Sequence, residues 1–361
     1  MHYNITYRQK DKGWQYIISY KTGGVWKQKS KQGFATKKAA QLSALERTKE
    51  LEKQISLENT LNPELKGILF IDFANKLIEH EKLYKEPNTI ILYKKALASF
   101  EDIHNMPIEN IKPINIQDIV DKLIKKELNI STIKLYTSKI SYMFNQAITH
   151  YAIILQNPIK NIQYPTQNLK EQNKKIKALT KDEVSTLLAQ IQQNYPKYHL
   201  LCLTAVTTGL RIGELLGLTY SDINFDTATL NIDKQWKLLK SGKQGLGILK
   251  SKNSIRQIPI PNRTLEALKL ELKLPNQTHT TRIFPFPTNC QATLHAIFKK
   301  LNFNISIHDL RHTYATFLIS SGLDIKTTAH LLGHDTSMTL KTYTHTTTDM
   351  LQSAKQKINL L

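Results

Sequence analysis

The chain has 361 residues, enough for two or three domains that each bury a core. Lys and Arg number 50 against 29 Asp and Glu, a net charge of +21 with a pI near 9.7, which points to a polyanion partner and away from a neutral small-molecule substrate. No apolar run approaches the ~18 residues of a spanning helix, Met1-His2-Tyr3-Asn4-Ile5-Thr6 lacks the apolar stretch of a signal peptide, and two distant cysteines, Cys202 and Cys290, supply neither a disulfide framework nor a cysteine-based zinc site, so a cytoplasmic protein without membrane contact is expected.

Residues 2 to 31 carry three alternating, aromatic-rich runs, Tyr3 to Tyr7, Trp14 to Tyr20 and Val25 to Lys29. Asp11-Lys12-Gly13 and Thr22-Gly23-Gly24 punctuate them, so a three-stranded antiparallel sheet is expected. Thr36 then caps a helix from Lys37 to about Lys53. Residues 1 to 56 hold twelve Lys and Arg against four Asp and Glu, a strong positive charge for so small a unit. Residues 54 to 65, with Asn59, Asn62 and Pro63, have no sustained period and form a linker.

From Phe70 to about Ile162 the period is helical. Ile71, Ala74 and Ile78 begin one helix, Thr89 to Phe100 forms a second, Asn115 caps a third that runs to Lys126, and Ser131 to Tyr151 is the longest. Residues 163 to 177, polar, basic and aperiodic, make the clearest linker in the chain.

Thr180 and Glu183 form a capping-box pattern that opens the last domain. Helices over Lys181 to Gln193 and Tyr198 to Thr207 lead to Thr208-Gly209-Leu210-Arg211-Ile212-Gly213-Glu214-Leu215-Leu216. There Ile212, Leu215 and Leu216 face a core, and Arg211 and Glu214, three apart, share the other side. Strands are expected over Ala228 to Trp236, Leu246 to Lys250 and Ile255 to Ile260, with Lys250-Ser251-Lys252-Asn253-Ser254 at a hairpin tip between the last two. Helices over Arg263 to Leu274 and Gln291 to Leu301 lead on to His308.

In His308-Asp309-Leu310-Arg311-His312-Thr313 the first histidine and the arginine are three apart, so one helical face aims both at a small anion while Leu310, Tyr314, Phe317 and Leu318 form the apolar face. Gly322 and Gly333 end two helices, which leaves His334 just past a helix end. Nine residues on stands Tyr343, between Lys341 and His345, where neighbouring cations favour a phenolate. A zinc site on His308 and His312, four apart, is the competing reading. Asp309 stands where that motif needs Glu, and Arg311 would aim a permanent cation at the metal.

His308-Asp309-Leu310-Arg311-His312-Thr313, Leu332-Gly333-His334 and Tyr343 resemble the signature of the tyrosine recombinases, the phage and transposon integrases that cut and rejoin DNA. The resemblance implies an α+β, multidomain protein. Residues 1–58 would be an arm-site DNA-binding domain, residues 66–162 a helical core-site DNA-binding domain with Lys134 and Lys139 toward DNA, and residues 177–361 a mainly helical catalytic domain with a small antiparallel sheet. It assigns catalysis to Arg211, Lys250, His308, Arg311, His334 and Tyr343. Tyr343 would attack the scissile phosphate and hold the DNA as a 3′-phosphotyrosyl ester, and Arg211 and Arg311 would clamp the phosphate oxygens, with Glu214 holding the local structure behind Arg211. Lys250 would protonate the leaving 5′ oxygen, with Lys252 the alternative, His308 would assist proton transfer at the tyrosine, and His334 would hydrogen-bond the phosphate. No metal, ATP or other cofactor is required.

Partners implied are double-stranded attachment sites, a tetramer of this chain on DNA, and an excisionase or host DNA-bending protein, in integration and excision of a mobile element or prophage. A type IB topoisomerase shares the chemistry but lacks a basic front sheet and Gly333-His334; a catalytically silent DNA-binding regulator would not need Arg211, Arg311 and Tyr343 intact. After Tyr343, Asp349 caps a last helix whose Met350, Leu351, Ala354 and Ile358 form an apolar stripe, expected to dock on its own domain or on a neighbouring protomer.

Overall fold

The computed structural model describes residues 2–22, 25–58, 60–165, 177–273 and 278–343, with the backbone alone for Gln54, Leu57, Glu58 and Lys252 and for residues 341–343. Most of the expected linker over residues 163 to 177 and the expected tail helix after Asp349 lie outside the described residues. The chain divides into two compact units, Met1–Thr166 and Gln167–Leu361. Among the described residues no helix is long and apolar enough to cross a membrane.

The first unit opens with strands β1 (Tyr3–Lys10), β2 (Gly13–Thr22) and β3 (Val25–Phe34), antiparallel in that order. Alternation along β2 sends Tyr16, Ile18 and Tyr20 inward, where they pack with Ala44 and Leu51 of helix α1 (Lys37–Glu58). The opposite face carries Gln15, Ile17, Ser19 and Lys21, paired across the sheet with Asn4, Thr6 and Arg8 on one side and with Trp26, Gln28, Ser30 and Gln32 on the other. Helix α1 outruns its expected end at Lys53 because Ala44, Thr48, Leu51 and Ile55 continue one inward stripe at helical spacing.

A separate core in the same unit is built by α2 (Phe70–Glu81), α3 (Pro87–Ser99), α4 (Pro113–Lys125) and α5 (Ile130–Thr149). Phe70 stacks on Phe144 at 5.1 Å between ring centres. Asn129 caps α5 by accepting the Ser131 N–H at 3.0 Å. Asn115 is not the cap of α4. Pro113 opens that helix, and Asn115 sits in its first turn, accepting the Lys112 N–H at 2.9 Å.

The second unit is wound around α7 (His199–Thr208), whose Leu201, Cys202, Leu203, Thr204 and Ala205 are all buried. Around it lie α6 (Lys181–Asn194), capped by Thr180 and Glu183, and α9 (Asn262–Leu272), with α11 (Ile307–Ser320) on a further side. Between α8 (Ile212–Gly217) and α9 come five strands: β4 (Ile223–Asn224), β5 (Thr229–Ile232), β6 (Lys234–Leu238), β7 (Gln244–Ile248) and β8 (Arg256–Pro259). They form two sheets, β4-β5-β8 and β6-β7.

The pairing corrects the expected hairpin. The run from Ala228 to Trp236 breaks at Asp233, and its second half turns back at Leu239 to Lys243, where Gly242 takes φ +79° and Leu239 N–H donates to Lys243 O at 2.9 Å. β7 therefore pairs with β6, and β8 pairs with β5, placing Leu230 opposite Ile258. Lys250 lies on the connection from β7 to β8, not at a hairpin tip. Two more helices, α12 (Ile325–Leu332) and α13 (Thr336–Tyr343), follow α10 (Cys290–Lys300) and α11.

Candidate active site

The site is assembled from two helix ends. Helix α7 stops at Gly209, with φ +64° and ψ +21°, and α12 stops at Gly333, with φ +63° and ψ +44°. Both are left-handed caps, so each leaves its last carbonyls pointing outward with the negative end of a helix dipole. A Cβ at Gly209 would lie 2.3 Å from the Tyr314 ring, and one at Gly333 would lie 2.8 Å from the Arg256 guanidinium. Neither place tolerates a side chain.

Three arginines meet three successive carbonyls at the end of α12. Arg256 Nε donates to Leu331 O at 2.9 Å, Arg311 Nη2 to Leu332 O at 2.6 Å, and Arg211 Nη2 to Gly333 O at 2.9 Å. Arg311, on α11 and buried, also donates through Nη1 to Gly209 O at 2.7 Å, which joins the two helix ends. Its Nη2 is 2.7 Å from His334 Nε2. A guanidinium only donates, so Nε2 accepts and the His334 proton sits on Nδ1. Among the described residues that buried Nδ1 meets no hydrogen-bond partner.

Glu214 ties Arg211 to Arg256. Arg211 precedes α8, and its N–H donates to Glu214 Oε2 at 2.9 Å while its Nη1 donates to Oε1 at 2.8 Å. Arg256 adds Nη2 to Oε2 at 2.9 Å and Nη1 to Oε1 at 3.2 Å. Burial pushes the Glu214 carboxyl up, but hydrogen bonding to Arg256 and the charges of Arg256 and Arg211 outweigh it and hold its pKa below the ordinary value. Arg211 keeps about a third of its side chain, 36%, open to solvent.

His308 and His312 lie on α11 with their rings edge to face, 4.8 Å apart. His308 is reachable by solvent, yet partial burial first, and His312 and Arg311 next, push its pKa down to about 4. Burial, then Arg311 and Arg211, bring His334 to about 3. Both imidazoles are neutral at pH 7. Asp309, the residue out of place in a zinc motif, sits in the first turn of α11 and accepts the N–H of the N-cap Ser306 at 2.7 Å, half of a capping box. Among the described residues no group of three or more ligating side chains could hold a metal ion.

Arg211, His308, Arg311 and His334 thus come together around the end of α12. Lys250 is exposed on its connection, outside that hydrogen-bond network among the described residues. Tyr343 is the last residue of α13, the helix that follows His334, and its side chain is outside the described part. The sequence places Arg256 only downstream of Lys250 in the family pattern and gives it no role. Its signal was alternation along β8, where Arg256 shares the inward face with Ile258 and Ile260, a place where an arginine must have a buried partner.

Family models match along the chain. An arm DNA-binding domain matches residues 4–51, a phage integrase SAM-like domain residues 69–164, and the phage integrase family residues 177–350, which contain Arg211, Lys250, His308, Arg311, His334 and Tyr343. The chain belongs to the phage integrase family of tyrosine recombinases. It is 28% identical over 338 residues to a XerC-like tyrosine recombinase of Caldanaerobacter subterraneus, covering 84% of this chain and 86% of that one. To the transposase of transposon Tn916 from Enterococcus faecalis it is 26% identical over 315 residues, covering 80% and 76%. In fold, this recombinase is similar to the Tn1549 transposon integrase bound to transposon right end DNA, with a TM-score of 0.65, 21% identity, and coverage of 80% of this chain and 99% of that one. A λ integrase tetramer on a Holliday junction gives a TM-score of 0.56 at 18% identity, covering 92% and 94%. The chain is a site-specific DNA recombinase.

Proposed function

We propose that this recombinase breaks and rejoins DNA through a 3′-phosphotyrosyl ester, with Tyr343 as nucleophile and Arg211 and Arg311 as the phosphate clamp. The observation that carries the reading is the convergence of both guanidiniums and the neutral His308 and His334 on the end of α12, one helix before Tyr343. Tyr343 Oη forms a bond to phosphorus as the P–O5′ bond breaks. The phenol proton passes to His308, which is neutral at pH 7. Lys250 gives a proton to the leaving 5′ oxygen, and the exposed connection it occupies leaves its ammonium open to DNA. The partnerless Nδ1–H of His334 and the guanidiniums stabilise the charge on the non-bridging oxygens. A 5′ hydroxyl reverses the step, so the ester conserves the bond without ATP.

The substrate is duplex DNA at attachment sites of a mobile element, handled in the cytoplasm. Residues 1–58 bind a separate arm site. The support is the open face of the first sheet, where Asn4, Arg8, Gln15, Ser19, Lys21, Gln28 and Gln32 offer the donors and acceptors that read base edges. Residues 66–162 grip the core site, and residues 177–361 catalyse. Strand exchange takes place in a tetramer of this chain, aided by an excisionase or host DNA-bending protein; the tetramer in which λ integrase was solved supports that stoichiometry.

Tyr343→Phe tests the reading. Covalent protein–DNA adducts should vanish while DNA binding is retained; an adduct formed by the variant refutes the assignment. Of Lys250→Ala and Lys252→Ala, only the true acid's variant should be rescued by a 5′-phosphorothiolate substrate, whose leaving group needs no proton.

A further inference from the structure

Arg256 is a buried charge in the second unit, and the reaction as derived makes no use of it. Its side chain is fully buried and its donors are turned to protein acceptors. Four hydrogen bonds leave its guanidinium, to both oxygens of Glu214, to Leu331 O at the end of α12 and to Ser254 O. Ser254 closes the turn with Ser251 on the connection that bears Lys250, with Oγ atoms 2.9 Å apart. One planar group therefore touches the Arg211 partner, the helix end that carries His334, and the lysine connection. A buried salt bridge is weak evidence for stability, because desolvation offsets its attraction. Its use must lie in geometry.

We infer that Arg256 is a positioning residue for the phosphate clamp: by filling one side of the Glu214 carboxylate and fixing Leu331 O, it aims the Arg211 guanidinium at the scissile phosphate. The division of labour at Glu214 is the reason. Each carboxylate oxygen accepts one bond from Arg211 and one from Arg256, so the plane of the carboxylate, and with it the Arg211 fork, is set by the arginine that never leaves the interior. Lysine keeps the charge but has no planar fork, and so cannot span two carboxylate oxygens and two carbonyls at once. Gly333 belongs to the same device. Its bare Cα lets the guanidinium lie where a Cβ would come within 2.8 Å of Nη1.

The inference rests on the reading of Arg211 as a phosphate clamp, and the test separates the two. Full-length Arg256→Lys, Arg211→Lys and Lys250→Ala proteins are given a duplex spanning the end-to-end junction of the circularised element, with the cleavage position mapped first by the unaltered protein. The scissile group is a phosphodiester or an uncharged methylphosphonate, which needs less of the clamp. On the phosphodiester Arg256→Lys should form adduct on the order of 10²-fold more slowly, as for loss of one transition-state donor. On the methylphosphonate that deficit should shrink about tenfold or more, as it does for Arg211→Lys, whereas the Lys250→Ala deficit should persist and yield only to a 5′-phosphorothiolate. A deficit of Arg256→Lys that is equal on both substrates while that of Arg211→Lys shrinks overturns the inference and leaves a purely structural arginine. If the Arg211→Lys deficit does not shrink either, the clamp assignment itself is wrong. Arg256→Gln, which removes the planar fork and the charge together, must show the same substrate pattern, and duplex binding at the unaltered affinity guards both variants against misfolding.

Discussion

Replacing Glu214 with glutamine removes the hub of the site at almost no change in volume. The carboxylate accepts four hydrogen bonds, two from Arg211 and two from Arg256, with 2% of its side chain exposed. A carboxamide keeps one acceptor oxygen and turns an NH2 donor toward N–H donors, leaving the fully buried Arg256 without a counter-charge. Breaking a buried pair in this way costs about 3–5 kcal/mol. Counting two lost charge-assisted bonds at roughly 1.5–3 kcal/mol each gives about 3–6 kcal/mol, which overlaps that range. For a unit of this size about 2–4 °C is lost per kcal/mol, so the second unit should melt about 6–20 °C lower. The assay is calorimetry of the full chain at pH 7, reading the transition of the second unit. The sign with pH follows from the lowered Glu214 pKa: the carboxylate's contribution is complete above its ordinary value of 4.5 and is lost as pH falls through the lower folded value. The gap between wild type and variant should hold at pH 5 and close only in stronger acid. Melting curves that superimpose within a degree at pH 7 would refute the argument.

The histidines set a second pH signature. His334 and His308 titrate near 3 and 4 in the folded chain against 6.5 when unfolded, so they stabilise the neutral-pH fold and that contribution is lost as pH falls from 6.5 toward those folded values. His334→Gln should flatten the loss of melting temperature between pH 6.5 and 4, and an unchanged slope would show that His334 Nε2 does not accept from Arg311. Deletion of residues 1 to 56 should spare core-site cleavage and abolish binding to a separate arm sequence; the fragment's affinity should fall steeply with salt, and a fragment that ignores DNA at low salt sinks the idea.

Local signals in the chain were read correctly where the physics is local. Thr180 and Glu183 cap α6, Gly333 ends a helix, and Arg211 with Glu214 pair because three residues separate them. What depends on distant partners was not legible. Whether β7 pairs back to β6 or forward to β8 depends on the turn at Ser241-Gly242, and misjudging it moved Lys250 to a hairpin tip. The Arg256 partner lies 42 residues away, and its carbonyl acceptor Leu331 lies 75 away. No periodicity carries that information. Likewise, Asn115 was read as a cap because Pro113, two residues earlier, was not weighed as the opening of α4.

The choice of carbonyl oxygens at the end of α12 has a thermodynamic consequence. A carbonyl orients a guanidinium without cancelling its charge, and the one carboxylate shared by Arg211 and Arg256 can neutralise only one of the two. The fold therefore bears electrostatic repulsion that a phosphate held by Arg211 would relieve. Ligand and fold are linked in the usual way, the bound state gaining stability as anion concentration rises above its dissociation constant. Under the proposed clamp, DNA at the cleavage point is a structural component of the catalytic unit as well as its substrate, and the unit should melt higher with the scissile phosphate seated.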